Sequence, residues 1–376
     1  MDKSTSQPAS PLTILTAAQA RALNHVTSGA MLMRGRMREM AAEILTRAGV
    51  LSEAAAFDDL LSSIEKNARV TLNFHPDRIL PSGLTVVEGL LHNGTYLSQF
   101  ATGVTNGSRS AFPGGDRDRW EERLFGGAYQ TEGVTNHERP KYGALNLMNY
   151  VDGASPRFGS CYLLLRPHIW SRCTFTFGDS HTGPEHIGMS DSFDPVLAAL
   201  LEKVDITHEA LGSSNIEVPS LVERLLKLHE DCPENACGVL GRSLDEYIEV
   251  QVHGDIKMSK DVEGLVADPS YKKTNIGDQL ESLCSQNNIS LSWHPGFRLA
   301  VEAVPDDFRG PAMPPLAERV NREFAATPGE LNAATIGRAA AALYHNPESW
   351  QDWGTPQETF QHLKQLWHIL VRYGHQ

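Results

Sequence analysis

Tyr247-Ile248-Glu249-Val250-Gln251-Val252-His253-Gly254 decides how the chain is read. Apolar Ile248, Val250 and Val252 alternate with Tyr247, Glu249, Gln251 and His253. A period of two is that of a strand with one polar face. That face would carry a phenol, a carboxylate, an amide and an imidazole in one row, and Gly254 ends the run. A half-buried strand needs polar residues outward, but not a carboxylate among three other hydrogen-bonding groups. The row is a candidate site, set against the alternative of a solvated Glu on an exposed strand face.

The flanking sequence supplies the rest of an α+β layout. Residues 1–12 are Ser-, Pro- and Gln-rich and are expected to be disordered. Residues 13–66 form a helical segment, with Leu and Met at three- and four-residue spacing and a break at Gly49. Ala68–Phe74 alternates as a strand, and mixed helix follows to Gln99, broken at His92-Asn93-Gly94. Residues 101–160 are dense in Gly, Pro, Asn and Asp and read as loop and turn. Ser160–Arg166 and Cys173–Phe177 read as strands, Pro195–Val204 and Val218–His229 as helices. A short acidic helix is expected near Asp261–Val266, a helix N-capped by Asp278 to Asn287, and a last strand at Ile289–Trp293. Residues 313–376 return to helix in three pieces, broken at Pro328-Gly329 and Asn346-Pro347. The domain between the helical ends spans 67–312.

Bulk composition bounds the function. The 376 residues carry a formal charge of −13, which argues against a general nucleic-acid binder. No run approaches the roughly 20 apolar residues of a membrane helix. The polar N-terminus lacks the basic end and apolar core of a secretory signal. The expected location is the cytoplasm of the producing cell, with delivery to another cell by a specialised secretion system left open. Five irregularly spaced cysteines suit a reducing compartment. Cys232 and Cys237 lack the second ligand pair of a closed zinc site.

Several motifs compete. Asn73-Phe74-His75-Pro76-Asp77-Arg78 contains the His-Pro-Asp of J-domain cochaperones, but here it follows a strand, not a helix. A strand ending in His75 and Arg78 can instead grip phosphate or ribose, Arg as a bidentate fork. Phe177-Gly178-Asp179-Ser180-His181 resembles the nucleophile block of GDSL-type esterases, yet no Asn-Asp pair occurs anywhere in the chain. Fifteen histidines raise a metal-dependent hydrolase, but no His-Glu-x-x-His helix is present and no metal is expected. Neither a Gly-x-Gly-x-x-Gly turn nor a Walker loop occurs.

Blocks in a fixed order resemble one family. They are Asn73–Arg78, Gln99–Gly103 with Thr105-Asn106-Gly107, Phe112–Glu121, Arg139–Asn146, Pro156–Ser160, Thr174–Ser180 and Glu249–Gly254. The sequence resembles the DUF3626 family over roughly residues 60 to 320, a group similar to mono-ADP-ribosyltransferases and found mainly in bacteria. The resemblance implies an ADP-ribosyltransferase-like split β-sheet core and NAD as substrate. It implies transfer of ADP-ribose to a target protein, arginine being one acceptor, by an effector or toxin. Glu249 would be the catalytic carboxylate, with Gln251 and His253 beside it. His75 or Arg78 would contact NAD, Tyr142-Gly143 would stack on nicotinamide, and Ser160, Thr174, Thr176 or Ser180 would brace the Glu. Tyr247 stands where the Arg-modifying branch carries an acid or amide two residues upstream, so the acceptor does not follow from the resemblance. An NAD glycohydrolase at the same site and an esterase using Ser180 are the alternatives.

Overall fold

The computed structural model describes residues 14–50, 53–104, 111–230, 242 and 244–374. The expected disorder at 1–12, the Cys232/Cys237 pair and Thr105-Asn106-Gly107 lie outside them. Helix α1 (Ala17–Arg47) starts at a capping box, in which Thr16 Oγ1 accepts from the Gln19 N–H and Gln19 Oε1 accepts from the Thr16 N–H. It ends before Gly49, in the left-handed region at φ 72°, and α2 (Glu53–Asn67) follows.

Eight strands form one mixed sheet: β1 (Val70–Phe74), β2 (Lys141–Leu145), β3 (Cys161–Leu165), β4 (Cys173–Phe177), β5 (Ile187–Gly188), β6 (Ile248–Val252), β7 (Val262–Ala267) and β8 (Ser290–Trp293). Their order is β8-β7-β3-β1-β2-β6-β4-β5, antiparallel throughout except between β7 and β8. Strand β6 is central and buried at every position. The half-exposed strand expected from alternation is thus corrected: both faces are covered. Ile248, Val250 and Val252 join an apolar core with Val196, Leu200 and Val204 of α6 (Asp194–Thr207). Each such side chain contributes roughly 1.5–3 kcal/mol. The polar side chains fill the other face.

The span 101–160 is largely loop and turn among its described residues, as expected, but it also carries a helix at Asp116–Leu124 and the central strand β2. One region differs from expectation. The segment at Val262–Ala267 is strand β7, and only Met258–Asp261 makes a helical turn. Buried Val262, Leu265 and Ala267 between β3 and β8 outweigh the local acidity of Asp261 and Glu263. A smaller correction is that Thr274, not Asp278, caps the helix Asn275–Asn287, accepting from the Gly277 N–H at 3.2 Å. Asp278 lies in the first turn, where the helix dipole favours an acid.

The C-terminal helices at Met313–Phe324, Ala333–His345 and Pro356–Tyr373 share the core of the sheet. Trp367 is fully buried, and its indole N–H donates to the Pro156 carbonyl at 3.0 Å.

Strands β1 and β2 pair at only two points, Val70↔Leu145 and Thr71↔Ala144. β1 stays paired with β3 as far as Phe74↔Cys161. The sheet therefore parts between Asn73 and Gly143, although pairing links all eight strands. Two glycines shape this region. A Cβ on Gly143 would lie 2.6 Å from the Thr71 carbonyl oxygen. A Cβ on Gly159 would lie 2.1 to 2.3 Å from the Phe74 backbone. Gly159→Ala is expected to destabilise the protein by ~2 kcal/mol or more, because backbone must move. Gly35→Ala, in an exposed stretch of α1 where the Cβ meets nothing within 4 Å, should stabilise it by about 0.5–1 kcal/mol. Denaturant midpoints of the two variants check the contrast.

Candidate functional site

Strand register assembles the polar face. Ala144 of β2 pairs with Glu249, which pairs with Thr176 of β4. In the next row Tyr142 pairs with Gln251, which pairs with Thr174. Antiparallel partners point to the same face. Glu249, Gln251, Tyr142, Thr174 and Thr176 therefore share one buried face of the sheet.

Glu249 is only 6% exposed, which removes the alternative of a solvated strand carboxylate. Its Oε1 accepts from Gln251 Nε2 at 2.8 Å, and its Oε2 accepts from the Ser180 N–H at 3.4 Å. Gln251 is held in turn. Its Nε2 also donates to Thr176 Oγ1 at 3.3 Å, and its Oε1 accepts from Thr174 Oγ1 at 2.7 Å. Since the Thr174 hydroxyl donates to Gln251, it accepts from His253 Nε2 at 3.1 Å. His253 Nδ1 then accepts from the Tyr129 hydroxyl at 2.6 Å. Burial, together with nearby Lys141 and Arg172, lowers the His253 pKa to about 3, so this ring is neutral. Every donor in the chain from Tyr129 to Glu249 points toward the carboxyl group.

Asp179 makes the second carboxylate. Its Oδ2 accepts from the Tyr247 hydroxyl at 2.7 Å, and its Oδ1 lies 2.7 Å from His181 Nδ1. Burial pulls the Asp179 pKa upward, but the bonds from Tyr247 and His181 outweigh it and hold the carboxyl below its ordinary range. Glu249 goes the other way. Burial first, and then the Asp179 charge, raise its pKa to about 8. Two carboxyls driven apart in this manner are the usual arrangement of an acid–base pair.

Residues 112–121 supply what the sequence analysis missed. The helix at Asp116–Leu124 (α5) places Arg117, Trp120 and Glu121 on one side. The Arg117 guanidinium lies 4.5 Å from the centroids of both the Trp120 and Tyr142 rings. Glu121 is fully buried, accepting from Arg139 at 2.9 Å and from the Tyr142 hydroxyl at 2.7 Å. The i, i+3, i+4 spacing of Arg117, Trp120 and Glu121 was a legible signal for this helix face. Arg117, Tyr142 and Glu249 border a cavity of about 70 Å³, with Asn73, Phe158, Asp179 and Tyr247 around it. The Tyr142 ring, expected to stack on a ligand, is already covered by Arg117.

Three expected residues are placed elsewhere. His75, Arg78 and Ser160 are not beside Glu249. His75 meets Trp367 edge-on at 4.9 Å and lies 3.5 Å from Ser160 Oγ, while Arg78 lies over the Phe360 ring at 4.6 Å. His75 and Arg78 line a separate cavity of about 810 Å³. Gly143 has a steric task, the close approach to Thr71. Ser180 Oγ is buried without a hydrogen-bond partner, and no imidazole reaches it among the described residues, so the esterase reading gains nothing. Among the described residues no three His, Cys, Asp or Glu side chains gather as a metal site.

The DUF3626 family, described as a protein of unknown function, matches residues 69–373. The chain belongs to this family. The match runs from β1 through the last helix, so it takes in the C-terminal helices as well as the sheet. No curated protein matches the chain.

A carboxyl whose pKa is raised in the folded state binds its proton more tightly there than in the unfolded chain. Its contribution is then present below the unfolded pKa of about 4.5 and is lost as pH rises toward about 8. Glu249→Gln cannot ionise. The stability of the wild type relative to Glu249→Gln should therefore fall by on the order of a few kcal/mol between pH 5 and pH 8. Urea melts across that range measure it, and a difference that does not change with pH would exclude the raised pKa.

Proposed function

We propose that this protein is an NAD-dependent mono-ADP-ribosyltransferase acting on a protein side chain, with the nicotinamide ribose bound where β1 and β2 part. The reading rests on Glu249, a buried carboxyl aimed into that cleft by Gln251 and the Ser180 N–H and held near neutrality in pKa. The parted sheet also agrees with the split core that the family resemblance implies.

In the reaction the bond from ribose C1′ to the nicotinamide nitrogen breaks, and its electron pair neutralises the pyridinium ring. The ribose becomes oxocarbenium-like. Two nearby carboxyls oppose that positive charge, Asp179 ionised throughout and Glu249 ionised once a cation enters. Glu249 accepts the ribose 2′-hydroxyl proton in a hydrogen bond and then takes the proton of the acceptor as its lone pair forms the new bond to C1′. The neutral amide of Gln251 fixes the carboxyl without competing for the proton. Access of the ring to Tyr142 requires Arg117 to leave its face.

Water as the acceptor, giving an NAD glycohydrolase, is favoured by one observation: the cavity beside Glu249 is sized for a few waters. NAD labelled in the adenylate half, incubated with the protein and a cell lysate, separates the readings. Label on protein, reduced roughly 100- to 1,000-fold in Glu249→Gln, is the expected result. Free ADP-ribose with no labelled protein would assign the glycohydrolase. NAD left intact would end both.

A further inference from the structure

The cavity of about 810 Å³ lies between the turn after β1, the Arg157–Phe158 turn, and the helices Ala333–His345 (α11) and Pro356–Tyr373 (α12). Three cations face it: Arg78, Arg157 and Lys364. Lys364 is half-buried and makes no hydrogen bond or ion pair among the described residues. Arg157 pairs with Asp245, while its Nε is buried without a partner. Arg309 and Arg372 stand behind them, each with its own Nε buried and unpartnered. Burial, then the charges of Arg157, Arg78 and Arg309, lower the Lys364 pKa to about 8. The acids nearby are few. Asp77 is occupied by the Tyr271 hydroxyl at 3.0 Å, Asp245 by Arg157, and Asp179, whose charge also acts on Lys364, by Tyr247 and His181. Lys364 and the Arg157 Nε thus lack a bonded anion among like charges in a partly apolar wall, a cost that an anion in the cavity would relieve.

We propose that this cavity binds a nucleoside diphosphate, its diphosphate against Lys364, Arg157 and Arg78 and its base and ribose in the apolar body between α11 and α12. Three cations suit a diphosphate better than the single charge of a carboxylate head, and the two guanidinium groups offer forked donors to phosphate oxygens. The half-buried rings of Phe158 and Phe360 border the cavity, each with a guanidinium over one face, and can meet a planar base. The amides of Gln357 and Gln361 also border the space. They can pair with a base edge or ribose, whereas an acyl chain would leave them unpaired. Phe158 lines both this cavity and the Glu249 pocket, so the two meet there. Carboxyls at one end and cations at the other match NAD, whose nicotinamide is positive and whose diphosphate is negative. That last step rests on the transferase reading; binding of ADP alone does not.

Calorimetric titration of the full chain with ADP tests the site. One ADP should bind per chain, at least ~10-fold more weakly in Lys364→Met and in Arg157→Gln. Thermal melts establish that each variant is folded, and either one suffices. No binding of ADP, binding that neither variant weakens, or displacement of bound ADP by no more than a stoichiometric long-chain fatty acid would overturn the proposal. ADP binding in a protein that leaves NAD intact would uphold this site and end the transferase reading. NAD consumption without ADP binding would do the reverse.

Discussion

A carboxyl group buried in the middle of a sheet constrains much of this molecule. Glu249 is flanked on both sides by paired strands and has almost no contact with water. An ionised carboxylate there is costly unless bonded. The chain supplies bonds through a directed series running Tyr129, His253, Thr174, Gln251, Glu249. Each member donates forward, so none is left without a partner and the carboxyl receives the last proton donor. Such a fully satisfied network holds one geometry, since loss of any member leaves another polar group unpaired.

The second constraint is the separation of β1 from β2. Had the two strands stayed paired to Phe74, backbone would close the space in front of Glu249. Close approaches at Gly143 and Gly159 let neighbouring backbone pack tightly around β1 while the strands diverge. Asn73 then holds the loop beyond, donating to the carbonyls of Asp152 and Gly159. The cleft is thus made by backbone packing, and its chemistry by side chains on β2, β4 and β6.

Strand β6 and its polar row were legible because period-two alternation survives in a central strand whose far face is polar. The strand Cys173–Phe177 was legible in the same way, while Thr174 and Thr176 were singled out only by the resemblance. The convergence of Tyr142 was carried by resemblance alone, because Gly143 and Lys141 hide any alternation in β2. His75 or Arg78 was expected at NAD from the resemblance alone, and a motif at the end of β1 does not say how far that strand has diverged from Glu249. Asp179 stood in the sequence only as part of the esterase-like block. It caps a turn, accepting from the His181 N–H at 3.1 Å, and its second oxygen accepts a hydrogen bond from the Tyr247 hydroxyl. That bond joins residues 68 positions apart and leaves no local pattern. The large cavity was hidden similarly, since Lys364 and Arg157 meet only through the packing of α12 on the turn at Pro156.

The proposed transferase places the nicotinamide ribose of NAD against Glu249 where the sheet parts. A crystal structure with a non-hydrolysable NAD analogue tests that placement. The expected result is the ribose 2′-hydroxyl within hydrogen-bond distance of Glu249, with the Arg117 guanidinium displaced from the Tyr142 ring. An analogue bound elsewhere, with Arg117 still lying over Tyr142 and the cleft unchanged, would contradict it.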